Sequence, residues 1–189
     1  DWFQNDKYPS LTSPAEEYHG LTFAETFGNL SYTIYGHAVG LRDLGASQSP
    51  MNAYLTLLGI ETLPLRMERH CANAQAVAEY LSSHDAISWV SYAGLKNDKY
   101  NELATRYLSK GAGAVFTFGL KGGFDAGIAF VEALDLFSHL ANIGDSRSLV
   151  IHPASTTHRQ LSEAQLIAAG AGPDVVRLSI GIESIDDII

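Results

Sequence analysis

The sequence holds a single cysteine, Cys71, in 189 residues, which excludes an internal disulfide and suits a reducing compartment, the cytoplasm by default. Positive charge is also scarce. Twelve Lys and Arg stand against 21 Asp and Glu, a formal net charge of -9 with no basic run. Binding to nucleic acid or to an anionic membrane is thereby disfavoured, and a small-molecule or protein partner is expected. No apolar run reaches the roughly 18 residues that a spanning helix requires, and no signal peptide opens the chain. Internal repeats and low-complexity segments are absent. There is no initiating Met either: the chain opens on Asp1 and Trp2, and it closes on SIDDII, which reads as the first turn of a helix capped by Ser184. Both ends read as cut.

What is present is organised around Ser49 to Leu81. Ser49 can cap a helix with its side-chain oxygen, and Pro50 fits the first turn, where its missing N–H is not needed. From Met51 to Ile60 the residues are apolar almost all round, which predicts burial between two bodies. Beyond them Leu63, Met67, Cys71, Ala74, Ala78 and Leu81 recur at helical spacing, opposite Arg66, Arg69, Asn73 and Gln75. Pro64 cannot donate to the carbonyl of Ile60, so a kink is expected between the two halves.

Residues 1 to 20 are rich in Pro, Asp, Asn, Ser and Tyr and lack periodicity, so they read as an extended arm whose Trp2, Phe3, Tyr8 and Tyr18 could anchor a neighbouring surface. Leu21 to Leu44 is moderately helical and is closed by Gly45. After Leu81 strands and helices alternate. Strands are expected at Ile87 to Tyr92, Ala114 to Leu120, Phe137 to Ile143, Ser148 to Ile151 and Val175 to Ile180. Helices are expected at Lys99 to Leu108, Phe124 to Leu134 and Ser162 to Ala169, the last opened by a Ser162/Gln165 capping box. The class is α/β, a sheet with helices on one side.

The strand Val175 to Ile180 places Arg177 and Ser179 on one face and Val176, Leu178 and Ile180 on the other. Arg177 is then a surface charge, an ion-pair partner of Asp174 or Glu183, or a clamp for a carboxylate or phosphate. The stretch ANIGDSRSLVIHPASTTHRQLS suits a pocket wall. His152 and His158, six apart with no third ligand at metal spacing, support a metal site poorly. Ser148, His152 and Asp145 could compose a triad, but no GxSxG elbow accompanies them. Gly119 to Gly127 lacks the Walker and GxGxxG patterns and reads as a plain turn. Cys71 reads as core packing.

The stretches LRDLGASQSPMNAYLTLLGIETLPLRMERHCANAQAVAEYL, GAGAVFTFGLKGG, LFSHLANIGDSRSLVIHPASTTH and VVRLSIGIESIDDII occur in the order found in the C-terminal part of the Cys/Met-metabolism family of pyridoxal-phosphate enzymes. From about Tyr18 onward the chain resembles that family, most of all its O-acetylhomoserine sulfhydrylase branch. The resemblance implies residues 1–48 at the edge of a large cofactor domain, a long interdomain helix over 49–81, and over 82–189 the small C-terminal α/β domain of a fold-type-I transferase. It implies pyridoxal 5'-phosphate as cofactor and a homotetramer. The implied reaction replaces the acetate of O-acetylhomoserine with sulfide or a thiol, as part of methionine biosynthesis.

By the same resemblance Arg177, in the RLSxGxE motif, binds the substrate carboxylate, and Asn142, before the xGD motif, assists. The Schiff-base lysine is expected upstream, and none of Lys7, Lys96, Lys99, Lys110 and Lys121 sits in the small, polar context expected of it. The resemblance assigns no cofactor-binding residue and no metal ligand within these residues. Where sulfhydrylases often carry basic residues just before LRDLG, this sequence has Tyr35 and His37, a departure that bears on acyl-group or thiol specificity. Two other readings remain: a cystathionine γ-synthase, lyase or specialised γ-substitution enzyme, and a non-catalytic binding or assembly module.

Overall fold

A computed structural model describes residues Asp1–Ile189, which form two compact units, Asp1–Leu58 and Gly59–Ile189. In the first unit, short helices α1 (Pro9–Thr12), α2 (Phe23–Phe27) and α3 (Ser31–Tyr35) lead into a π-helical stretch, Gly36–Asp43. Gly45 stops it at φ 70, a left-handed conformation that suits glycine, as expected.

Residues 1 to 20 are not an extended arm. They fold into turns and α1 around Leu11, Phe23 and Ala24, with Trp2 and Tyr18 packed against that cluster. The indole of Trp2 donates to the carbonyl of Gly28, and Tyr18 meets Phe23 edge to face. Two of the proposed anchors are therefore internal packing, because even a small unit must bury its largest apolar side chains. Phe3 and Tyr8 are exposed.

Helices α4 (Pro50–Glu61) and α5 (Leu63–Ser82) divide the long apolar stretch at Thr62, beside Pro64, where the kink is expected. The amide of Asn52 donates to Ser49 Oγ, confirming the cap. No residue of α4 is buried: Met51, Tyr54, Leu55, Leu57, Leu58 and Ile60 are exposed, whereas the sequence predicts burial of this half. The buried stripe of α5 also differs from the expected one. It runs His70, Asn73, Ala74, Val77, Ala78, Leu81, a helical spacing that takes in two polar residues and leaves Leu63 and Met67 exposed.

The remaining elements are β1 (Ile87–Ser91), α6 (Asn101–Tyr107), β2 (Val115–Leu120), α7 (Gly123–Glu132), β3 (Ser138–His139), β4 (Leu149–Ile151), α8 (Glu163–Ala168), β5 (Val175–Ser179) and α9 (Ile185–Ile188). The expected strand at Phe137 to Ile143 shrinks to two residues, and the rest of that stretch is loop. A single sheet in the order β1-β2-β5-β4-β3 is antiparallel except between β3 and β4. Phe116, Phe118, Leu120, Val150, Val176, Leu178 and Ile180 form its core face, on which α5, α7 and α9 pack. Burying one such side chain contributes about 1.5–3 kcal/mol. The sheet is thus the mixed α/β layer read from the alternation of elements.

Candidate functional site

Strand β5 places its odd residues on the face opposite that core, in register with Thr117 of β2 and Ile151 of β4 at Arg177. Arg177 is half-buried, between buried neighbours on either side in the chain. The chain forms two ion pairs, Arg42–Asp43 and Arg147–Asp145, and Arg177 is in neither. The carboxylates that sequence offered as its partners are engaged elsewhere. Asp174 accepts from the indole of Trp89 at 3.0 Å, and Glu183 accepts from the amide and hydroxyl of Ser148 at 2.6 and 3.0 Å.

The side chain of Arg177 does meet Asn142: its Nη2 points at the Asn142 carbonyl from 3.5 Å, a long contact. The structure therefore brings together the two residues nominated for substrate binding. Asn142 Oδ1 accepts from the amide of Ile143 at 2.9 Å, which leaves its Nδ2 free to donate. The contact runs to the Asn142 main chain, so it brings the Arg177 guanidinium, a donor suited to a carboxylate, against the loop that carries the Asn142 carboxamide.

The other polar candidates have structural partners. His152, 1% exposed, donates from Nε2 to the carbonyl of Pro173 at 2.9 Å, and its Nδ1 accepts from Ser155 Oγ at 2.9 Å. Neither nitrogen is directed at a ligand. His158 Nδ1 meets Thr157 Oγ1 at 2.8 Å. Ser148, His152 and Asp145 bond to Glu183, to Ser155 and Pro173, and to Arg147 respectively, so they form no triad. Arg147 beside Asp145 holds its carboxyl below the usual carboxylate range. Gly122 at φ 112 makes the turn into α7. Cys71 is half-buried against Gly111. Tyr35 packs its ring on Phe23 in the core of the first unit, so of the two departures noted in the sequence only His37 is exposed.

Sequence reading missed His70 and Asn73. His70 Nδ1 donates to the Ile180 carbonyl at 2.6 Å, and Asn73 Nδ2 donates to the carbonyls of Gly181 and Glu183 at 3.1 and 3.0 Å. Both therefore grip the segment just after the Arg177 strand. The available signal was their place in the i, i+3, i+4 series with Ala74, Val77 and Ala78. A cavity of about 200 Å³, lined by Val77, Leu120, Phe130, Leu178 and Ile188, lies on the core face of the sheet, away from Arg177.

Of the groups a pyridoxal phosphate would need, the covalent anchor does not fit these residues. Lys7, Lys96, Lys99, Lys110 and Lys121 are all exposed, whereas an aldehyde-binding lysine is desolvated or otherwise activated. No helix is long and apolar enough to cross a membrane.

Residues 12–189 match the family described as Cys/Met metabolism PLP-dependent enzyme. The homocysteine synthase of Schizosaccharomyces pombe is 50% identical over 190 residues, covering 100% of this chain and 44% of the relative. The O-acetyl-L-homoserine sulfhydrylase of Leptospira meyeri is 50% identical over 194 residues, covering 98% of this chain and 44% of its own length. Among solved structures, an O-acetylhomoserine (thiol)-lyase of Campylobacter jejuni carrying N'-pyridoxyl-lysine-5'-monophosphate superposes with a TM-score of 0.84 at 41% identity, over 100% of this chain and 44% of that one. The chain thus spans 44% of the length of these relatives.

Proposed function

Because the chain belongs to the Cys/Met metabolism family of PLP-dependent enzymes, we propose that it provides the carboxylate-binding part of an O-acetylhomoserine sulfhydrylase-like site. The reaction is replacement of acetate on O-acetylhomoserine by sulfide or a thiol, giving homocysteine or methionine. One observation carries this reading: Arg177 is half-buried, lies in neither ion pair and stands beside Asn142. The cofactor, when bound, supplies the electron sink for this chemistry. Arg177 offers two parallel N–H donors to the α-carboxylate, and Asn142 Nδ2 adds a third. Held at one end in this way, the amino acid has a fixed orientation about its Cα, which contributes to rate as well as to binding. The enzyme acts in the cytoplasm as a homotetramer, and the lysine that anchors the cofactor lies outside these 189 residues.

The test is borohydride reduction of the holoenzyme followed by peptide mapping, alongside assay with O-acetylhomoserine and sulfide. A single pyridoxyl-lysine outside these residues, with turnover to homocysteine, is the expected result. A stoichiometric adduct on any of the five lysines would overturn the division of labour, and lack of turnover with sulfide and with thiols would overturn the reaction.

A further inference from the structure

The segment after β5 is held from three directions. From α5, His70 donates to the Ile180 carbonyl, and Asn73 donates to those of Gly181 and Glu183. From the loop that precedes β4, the Ser146 carbonyl accepts the Ile182 amide at 2.9 Å. From Ser148 the hydroxyl accepts the Gly181 amide at 2.9 Å and donates to Glu183 Oε2, while the Ser148 amide donates to Glu183 Oε1. Ser148 is 0% exposed, and its bond with the Gly181 amide is buried, where an unmade one is costly, while its bonds with the Glu183 carboxylate are part-buried. The packing around Gly181 is equally tight. A Cβ there would run into both the Ser146 carbonyl and the Glu183 carboxylate.

The two segments joined by this clamp are those that carry the candidate site. Arg177 lies on β5, four residues before Gly181, and Asn142 lies on the loop that ends at Ser148. No hydrogen bond joins the two side chains, and the long contact between them runs only from Arg177 Nη2 to the Asn142 main-chain carbonyl. Their spacing is therefore set by the strand register and by the clamp at Ser148. Glu183 supplies two acceptors in one rigid group, which is what a backbone N–H and an adjacent hydroxyl on the same residue require.

We propose that Glu183 is a positioning residue, which through Ser148 fixes the Asn142 loop against the Arg177 strand and so sets the geometry of carboxylate binding. The proposal rests on the reading of Arg177 given above. Glu183→Gln keeps the shape but replaces one acceptor with a donor, so the clamp loosens while the sheet stays paired.

The test is a double-mutant cycle in the holoenzyme, with Glu183→Gln and Arg177→Ala alone and together. Its main readout is calorimetric Kd for L-homoserine, which retains the α-carboxylate and lacks the acetyl leaving group. KM and kcat for O-acetylhomoserine are measured in parallel. Glu183→Gln is expected to weaken homoserine about 10-fold when Arg177 is present and less than about twofold in the Arg177→Ala background, the non-additivity of groups acting as one unit. KM should rise by a similar factor, with kcat changed less than about threefold.

Equal losses in both backgrounds would mean a merely structural role and would overturn the proposal, as would no loss in either. If Arg177→Ala alone left homoserine affinity unchanged, the reading of Arg177 would fail, and the proposal with it. If Glu183→Gln does not fold, Ser148→Ala breaks the same clamp from its other side and goes through the same cycle with the same expected outcomes.

Discussion

The imidazole of His152 lies so close to Gly127 of α7 that a Cβ at Gly127 would sit 2.5 Å from its Cδ2 and Nε2. Glycine inside a helix costs about 1 kcal/mol relative to alanine, so α7 gives up propensity for this approach. The ring cannot move aside, since Pro173 and Ser155 hold both nitrogens. Gly127→Ala should therefore be destabilising, with overpacking of about 1–3 kcal/mol exceeding the helix gain. Urea midpoints of the two proteins check this, and a higher midpoint for the variant would show that the ring yields.

Tyr92 should be among the last tyrosines to ionise. It is 3% exposed, its hydroxyl donates to the Gly113 carbonyl, and burial, with a smaller contribution from Cys71, pushes its pKa up to about 12. The unfolded chain releases this proton near the ordinary value of about 10, so between those limits the unfolded state binds fewer protons and stability falls as pH rises. Tyr92→Phe should flatten that alkaline loss in a melting series from pH 9 to 12. An unchanged slope would assign the loss to other groups.

Asp43 should show the opposite dependence. A hydrogen bond from the Tyr18 hydroxyl, and a second from Arg42, hold its carboxyl below the usual carboxylate range. A carboxyl lowered in the folded state contributes above its unfolded value of about 4, and the contribution is lost as pH falls through the folded one. Tyr18→Phe removes the larger cause and should move Asp43 up toward the ordinary range, read from the carboxyl carbon shift in an NMR titration. An unmoved midpoint would leave Arg42 as the whole cause.

Much of this arrangement was legible because it depends on local pattern. Val115–Leu120 and Val175–Ser179 are rich in β-branched and aromatic residues, and Ser49 with Pro50 and Ser162 with Gln165 are helix starts whose bonds are present in the structure. Arg177 stood out as one charge in an apolar strand, and the family motif joined it to Asn142. What stayed hidden depends on partners far along the chain. His70 and Asn73 look like surface residues of α5 until Ile180 and Gly181, more than a hundred residues later, present carbonyls that need donors. Residues 1 to 20 lack periodicity because turns and a one-turn helix bury Leu11 and pack Trp2 and Tyr18 singly, and a periodic search finds only repeated contacts. The Met51–Ile60 half of the long stretch was rightly read as helix, while its apolar ring is exposed where burial was expected.

The most direct measurement is kcat/KM for O-acetylhomoserine in the holoenzyme with Arg177 replaced by alanine and, separately, by lysine. Loss of a charge-assisted bidentate contact of about 2 to 4 kcal/mol should lower kcat/KM by about 30-fold to 1,000-fold in Arg177→Ala. Arg177→Lys should recover only part of it, because a point charge lacks the two parallel donors. An alanine variant with the kcat/KM of the unaltered enzyme would contradict the assignment of Arg177 to the substrate carboxylate.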